Sequence, residues 1–299
     1  MTDKLILGAD IGGSHITTGV IGLSSNSLAN DSFYRLSIDS HADADAILDI
    51  WTKAIKIQLD KWPSIQKVAL AMPGPFDYEN GISLIRDQGK YLSLYGINVK
   101  QKLAQGLALD PANIVFVNDA VSFLAGEIYA GKAKTDESTI ALTLGTGLGA
   151  AVHENGQTRD IALWQEPFRG FSAEHFFSTR WFIERYSQKT GRKIAHVKAL
   201  LEVADQEVCV AIFDEFADNL CEFLTGWIGD SKFDALVLGG NISQSSNLFL
   251  PKLIQGLGHN GIHLDNWVSE LGEVALLFGA VYDGFISRAS WSFTNKNKL

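Results

Sequence analysis

Two cysteines are all that this chain of 299 residues contains, Cys209 and Cys221, and both fall inside one helical pattern. That scarcity excludes a disulfide framework and a cysteine zinc site, and it predicts a reducing, cytoplasmic setting. No uncharged apolar run approaches the ~20 residues that a membrane-spanning helix requires. The start, Met1-Thr2-Asp3-Lys4, runs straight into a short strand pattern without a small-residue cleavage site, so no signal peptide is expected. Basic charge is in deficit too. With 25 Lys and Arg against 34 Asp and Glu, the formal charge of −9 argues against nucleic acid or an anionic membrane as the main partner. Phosphate binding survives this deficit, because a local nest of backbone N–H groups holds a phosphate whatever the net charge. The seven histidines show no ligand spacing such as His-x-x-x-His, and no low-complexity stretch or long linker interrupts the chain.

An apolar content of 46% fills a substantial core, and 299 residues exceed the size at which a single core keeps growing. Two α/β domains of roughly 120 to 170 residues are therefore expected. Strand patterns run over Leu5 to Asp10, His15 to Leu23 and Phe33 to Ile38, followed by an amphipathic helix from Ala44 to Leu59. A strand from Lys67 to Ala71 then meets the breaker cluster Met72-Pro73-Gly74-Pro75. Asn98 to Leu109 reads as helix, Asn113 to Val117 as a buried strand, and Ala120 to Ala130 as a helix closed by Gly131. Later come helices over Ala173 to Gln188 and Asp205 to Ile228, a strand from Phe233 to Leu238, a last helix from Glu273 to Ile286 and a polar tail after Ser290. Breaks near Asn118 and near the last helix divide the chain into a small domain, 1–117 completed by a C-terminal helix over about 278–299, and a larger one, 118–277.

A glycine-rich turn occurs twice, at Asp10-Ile11-Gly12-Gly13-Ser14 and at Gly145-Thr146-Gly147-Leu148-Gly149. Each joins two strand patterns, so each is a hairpin and not the strand-to-helix turn of a Rossmann or P-loop motif. Either could be an ordinary turn; as a pair they predict two backbone cradles for phosphate. Gly126 to Lys132 spells most of a Walker A motif, but Ala133 replaces its Ser/Thr and a helix precedes it, which excludes that reading.

Asp10 ends a strand beside the first turn, where a carboxylate either holds Mg²⁺, directly or through water, or stabilises the hairpin as an Asx-turn. The second hairpin favours the metal. Asn118-Asp119 closes a strand and opens a helix, a position that suits a proton acceptor and equally an N-cap. Glu166 and Glu174 flank Pro167-Phe168-Arg169-Gly170-Phe171; they suit hydrogen bonds from sugar hydroxyls, although an acidic residue at a helix start needs no function. Phe176, Phe177, Trp181, Phe182 and Tyr186 are spaced for a buried helix face.

Taken in order, Asp10-Ile11-Gly12-Gly13-Ser14, Met72-Pro73-Gly74-Pro75, Val117-Asn118-Asp119-Ala120, Leu144-Gly145-Thr146-Gly147-Leu148-Gly149 and Leu238-Gly239-Gly240-Asn241 resemble the motifs of the ROK (repressor, open reading frame, kinase) sugar kinases. That resemblance runs nearly end to end. It implies the two-domain actin-like, ribonuclease-H-like ATPase fold with the active site in an interdomain cleft, and ATP-dependent phosphorylation of a hexose or hexose derivative. Asp119 would be the general base, with Asn118, Gly74, Glu166 and Glu174 on the sugar. Asp10, Gly12, Gly13, Ser14, Gly145, Thr146, Gly147, Gly239, Gly240 and Asn241 would hold ATP, with Mg²⁺ at Asp10. A cytoplasmic homodimer is also implied.

Departures from the family pattern are concentrated beside the sugar. Arg169 stands where a zinc-binding histidine is common, the zinc cysteines are absent, and only seven residues separate Glu166 from Glu174. No zinc site is expected. His15 replaces a common lysine, and Arg86 to Lys90 lacks the usual asparagine pattern. The alternative is a catalytically silent, sugar-sensing regulator of the same fold. Repressors of the family carry an N-terminal helix-turn-helix, and here the first hairpin begins by Leu5. A different actin-like ATPase, an acetyl-group kinase or a dehydratase activator, is a further possibility; the activator would be expected to bring iron-sulfur cysteines.

Overall fold

The computed structural model describes residues 3–86, 89–203 and 205–287. The chain runs β1 (Leu5–Ile11), β2 (His15–Gly22), β3 (Ser27–Leu28), β4 (Tyr34–Ser37), α1 (Ala44–Lys61), β5 (Val68–Met72), β6 (Phe76–Asp77), β7 (Ile82–Ser83), α2 (Val99–Leu107), β8 (Ile114–Asn118) and α3 (Asp119–Ala130). It continues with β9 (Thr139–Leu144), β10 (Leu148–Glu154), β11 (Gln157–Asp160), β12 (Pro167–Phe168), β13 (Phe171–Ser172), α4 (Ala173–Phe176), α5 (Thr179–Thr190), α6 (Val197–Val203), α7 (Gln206–Ile228), β14 (Ala235–Gly239), α8 (Leu250–His259), β15 (Asp265–Val268) and α9 (Val274–Val281). None of the described helices is long and apolar enough to cross a membrane.

Two compact units result, residues 1–132 with 271–299, and residues 133–270. The first division falls one helix later than the break expected near Asn118, and the second at 270/271 instead of near 277. Packing explains both shifts. Helix α9 is apolar on every side, so it needs cover on every side, and it lies between the sheet of the first unit and α3. A Cβ on Gly126 would run into the Ala275 carbonyl, and one on Gly279 into the Ser122 carbonyl, so two glycines let the helix backbones touch. Gly126 is thus a packing residue, and its place in a Walker-like string is accidental.

In the first unit the sheet order is β3-β2-β1-β5-β8, with β4 also paired to β2. β1 and β2 form the first glycine hairpin, while β1, β5 and β8 run parallel. Leu7, Ala9, Ile16, Val68 and Leu70 pack against Trp51 and Ile55 of α1 and Leu103 of α2 in one core. Alternate residues Ile6, Ile21, Ala69 and Ala71 meet Leu277, Phe278 and Val281 of α9 in another, so the sheet is covered on both faces. In the second unit the order is β11-β10-β9-β14-β15, again an antiparallel glycine hairpin followed by parallel strands. The repeated topology echoes the repeated turn.

Three elements differ from the sequence reading. The helix expected over Ala173 to Gln188 breaks at Phe177 and Ser178, because Ser178 is extended and both the N–H and the hydroxyl of Thr179 donate to the Gly145 carbonyl (2.8 and 2.9 Å). The last helix is α-helical only to Val281 and widens to a π-turn over Tyr282–Ser287. Gly131 caps α3 at φ −102°, outside the left-handed region. The tail after Ser290, and the end of the helix expected over 278–299, lie outside the described residues.

Candidate active site

The sites expected from the sequence fall into two groups, one in each unit. In the first unit, β1, β5 and β8 are parallel, so their C-terminal ends gather Asp10, Gly74 and Asn118-Asp119 at one edge. Asn118, not Asp119, is the N-cap of α3: its Oδ1 accepts the Val121 N–H at 3.0 Å. Its Nδ2 donates to the Tyr78 hydroxyl at 3.1 Å, and that hydroxyl donates to the Met72 carbonyl at 3.0 Å. The amide is therefore held from both sides. A Cβ on Gly74 would lie 3.1 Å from the Tyr78 oxygen, which keeps this loop narrow beside Asn118. With capping done by Asn118, Asp119 sits in the first turn of α3, one carboxylate oxygen accepting the Ala120 N–H at 2.9 Å.

Asp10 is 7% exposed. Burial, and next the negative charge of Asp119, push its carboxyl up to about 7, against the opposing pull of Lys90 and Arg35. A buried carboxylate, Asp10, whose proton affinity is raised further by the charge of the half-buried Asp119, makes with it an oxygen donor set that a hard divalent cation relieves, so these residues fit Mg²⁺. No group of three or more His, Cys, Asp or Glu capable of holding a metal occurs among the described residues. Mg²⁺ does not need one, since it commonly takes one or two carboxylates, substrate phosphates and water.

Gly12, Gly13 and Ser14 form the tip of the first hairpin, closed by the Gly12 N–H on the His15 carbonyl at 3.0 Å. The buried Tyr91 donates its hydroxyl to the Gly12 carbonyl and meets Trp51 edge-on at 5.4 Å. Burial, then the Asp10 charge, raise the Tyr91 phenol above its ordinary range, so it stays a donor. Behind the tip, Glu273 pairs with Arg35, accepts from Thr17 at 3.4 Å and lies 3.6 Å from His15 Nε2. Burial and Arg35 hold His15 below its usual value, so its approach to Glu273 is that of a neutral ring at neutral pH.

In the second unit, Gly145, Thr146 and Gly147 form the β9–β10 turn. Glu174, on the short helix α4, places Oε2 3.1 Å from the Leu148 N–H, and a Cβ on Gly147 would come within 2.5 Å of that oxygen. The hairpin tip is thus clasped by Glu174 on an N–H and by Thr179 on a carbonyl. Gly239 ends β14, and Gly240 (φ 83°) is pressed so closely on Leu144 that only glycine fits, which seats Gly239-Gly240-Asn241 against the base of the same hairpin. Glu166 is exposed; its carbonyl accepts the Ala173 N–H at 2.8 Å, joining the two ends of the 166–174 segment. Arg169 reaches Glu222 and, at 2.7 Å, Asn219.

Tyr78, Tyr91, Lys90, Arg35, Glu273 and Thr179 were not singled out from the sequence. None lies in a glycine motif, and only the fold brings them beside those motifs.

The sequence model of the ROK family matches residues 6–160. A beta-glucoside kinase of Klebsiella pneumoniae is 27% identical over 294 residues, 91% of this chain and 93% of that protein. The crystal structure of a ROK family glucokinase from Streptomyces griseus in complex with glucose and AMPPNP is similar with a TM-score of 0.76 at 21% identity, over 94% of this chain and 99% of that one. A ROK hexokinase from Thermus thermophilus is similar with a TM-score of 0.77 at 17% identity, over 96% and 100%. The fold is the actin-like, ribonuclease-H-like ATPase fold.

Proposed function

The chain belongs to the ROK family, and on that premise we propose that it is an ATP-dependent kinase of a hexose or hexose derivative. The observation that carries the reading is that Asp119 stands at the end of parallel strands, in the first turn of a helix capped by Asn118, with its charge acting on a buried Asp10 whose affinity for a proton is raised. ATP supplies the phosphoryl group, and Mg²⁺ neutralises phosphate charge. Asp119 takes the proton of the acceptor hydroxyl as its oxygen bonds to the γ-phosphorus and the bond to ADP breaks. Asn118, fixed by the Val121 N–H and Tyr78, orients that hydroxyl, with Gly74 keeping the neighbouring loop close.

Asp10 holds the cation, and Lys90 and Arg35 limit the charge that it and Asp119 build up. The backbone N–H groups around Gly12, Gly13 and Ser14 and around Gly145, Thr146 and Gly147 receive phosphate oxygens, with Gly239, Gly240 and Asn241 on the nucleoside. Glu166 and Glu174 accept sugar hydroxyls; Glu174 keeps Oε1 for this while Oε2 holds the hairpin. A cytoplasmic homodimer belongs to the same reading. Similarity to a beta-glucoside kinase along 91% of the chain makes β-glucosides the first derivatives to test.

The experiment is ADP release from ATP with a panel of hexoses, N-acetylhexosamines and β-glucosides. Turnover on at least one is expected. Sugar binding without turnover on any of them would replace the kinase with a sugar-sensing regulator.

A further inference from the structure

Phe171 has the highest fractional exposure of the large apolar side chains among the described residues, at 58%. One exposed phenyl is ordinary on a protein surface; its mounting is not. Phe171 opens β13 of a two-residue hairpin whose turn, Arg169 (φ 47°) and Gly170 (φ 85°), is left-handed at both positions. The opposite strand is nailed down. Phe168 is buried among Phe176, Phe177 and Phe223 at centroid distances of 5.0, 5.7 and 5.5 Å, and Arg169 is tied to Glu222 and Asn219 of α7.

The Phe171 ring lies nearly parallel to His175, at 4.5 Å and 19°. Two stacked rings on a pinned hairpin are pre-organised, so little side-chain entropy remains to be lost when a ligand covers them. Phe171 sits on the segment that joins Glu166 to Glu174, closed by the Ala173 N–H on the Glu166 carbonyl, and His175 follows Glu174 directly on α4.

We propose that the Phe171–His175 stack is a subsite for the aglycone ring of a β-glucoside. This rests on the kinase reading and on Glu166 and Glu174 as ligands of the first sugar. With that sugar held by the two carboxylates, a β-linkage leaves its ring equatorially and carries the next ring outward in the same mean plane, as a flat aromatic surface requires. An axial α-linkage turns the next ring out of that plane. The apolar face of a second glucose and a phenyl group offer the same chemistry to the stack.

The test compares wild type, Phe171→Ala and Phe171→Trp with glucose, cellobiose, phenyl β-glucoside and phenyl α-glucoside, reading kcat and KM separately. The expected result is an increase of about tenfold in KM for both β-glucosides in Phe171→Ala, the size of one good ring contact. Glucose kinetics and kcat would be unchanged, and Phe171→Trp would restore the wild-type KM. An unchanged KM for the β-glucosides, or an equal rise for glucose, overturns the subsite. If wild type phosphorylates none of the sugars, the kinase reading fails; calorimetric binding of phenyl β-glucoside to wild type and Phe171→Ala then decides the subsite alone, with equal affinities rejecting it.

Discussion

Glu174 Oε2 accepts the Leu148 N–H at 3.1 Å, which ties a carboxylate from the 166–174 segment directly to the second glycine hairpin. A hydrogen bond to a charged acceptor in a part-buried place contributes more than a neutral one. Replacing Glu174 by Ala is expected to lower unfolding free energy by about 1–2 kcal/mol and to raise KM for ATP, because the hairpin loses one of its two clasps. Glu174→Gln keeps an acceptor and should lose less. Urea denaturation and ATP titration of both variants check this; equal losses for Ala and Gln would show that the Leu148 contact does not matter.

Asp119→Asn should reduce phosphoryl transfer by about 10²–10⁴, the range for removing a positioned proton acceptor. ATP binding and thermal stability should change little, since Asn118 caps α3 and an amide at position 119 keeps an oxygen to accept the Ala120 N–H. Single-turnover kinetics beside ATP calorimetry separates the two effects. Turnover like that of wild type would remove Asp119 from the role of base.

Asp10 carries a sign that can be worked out in advance. Its carboxyl holds a proton up to about pH 7 in the folded chain but only to about 3.8 when unfolded. Between those values the folded state binds more protons, so this group's contribution to stability is full below about 4 and is lost as pH rises through 7. The isosteric neutral variant Asp10→Asn should therefore gain stability over wild type as pH increases from 5 to 8, by on the order of 1–3 kcal/mol, and then level off. Urea midpoints across that range test it. A constant difference would mean that Asp10 is ionised throughout.

Gly126→Ala and Gly279→Ala each put a methyl group into the carbonyl of the facing helix. A loss of about 3 kcal/mol or outright failure to fold is expected, at the upper end of overpacking costs. Gly89→Ala, which meets no atom of the described residues within 4 Å but sits at φ 66°, controls for the removal of a glycine and should cost about 1 kcal/mol through backbone strain.

Much of the fold was legible because its signals are local. Alternating and helical apolar spacings and the two glycine turns depend on neighbours a few residues apart. The break in the helix at Ser178 was not legible: Phe176, Phe177, Trp181 and Phe182 keep an apolar helical rhythm through it, and the competing partner, the Gly145 carbonyl, lies more than thirty residues away. The sequence excluded a Walker A role for Gly126 but offered no positive reason for that glycine, since the Ala275 carbonyl that requires it is distant in the chain.

The candidate site divides along the same line. By itself the sequence determined which residue types sit at strand ends and turn tips, Asp10, Gly74, Asn118, Asp119 and the two hairpins, and the family to which they belong. Only the tertiary structure decided which groups those residues answer to. It set the charge of Asp119 against the buried Asp10, closed Tyr91 on Gly12, gave Glu273 to Arg35 and His15, and hung Glu174 on Leu148. The physical reason is range. Propensity and periodicity act over one or two turns of chain, whereas desolvation, charge coupling and steric contact act through space, between residues that only packing makes neighbours.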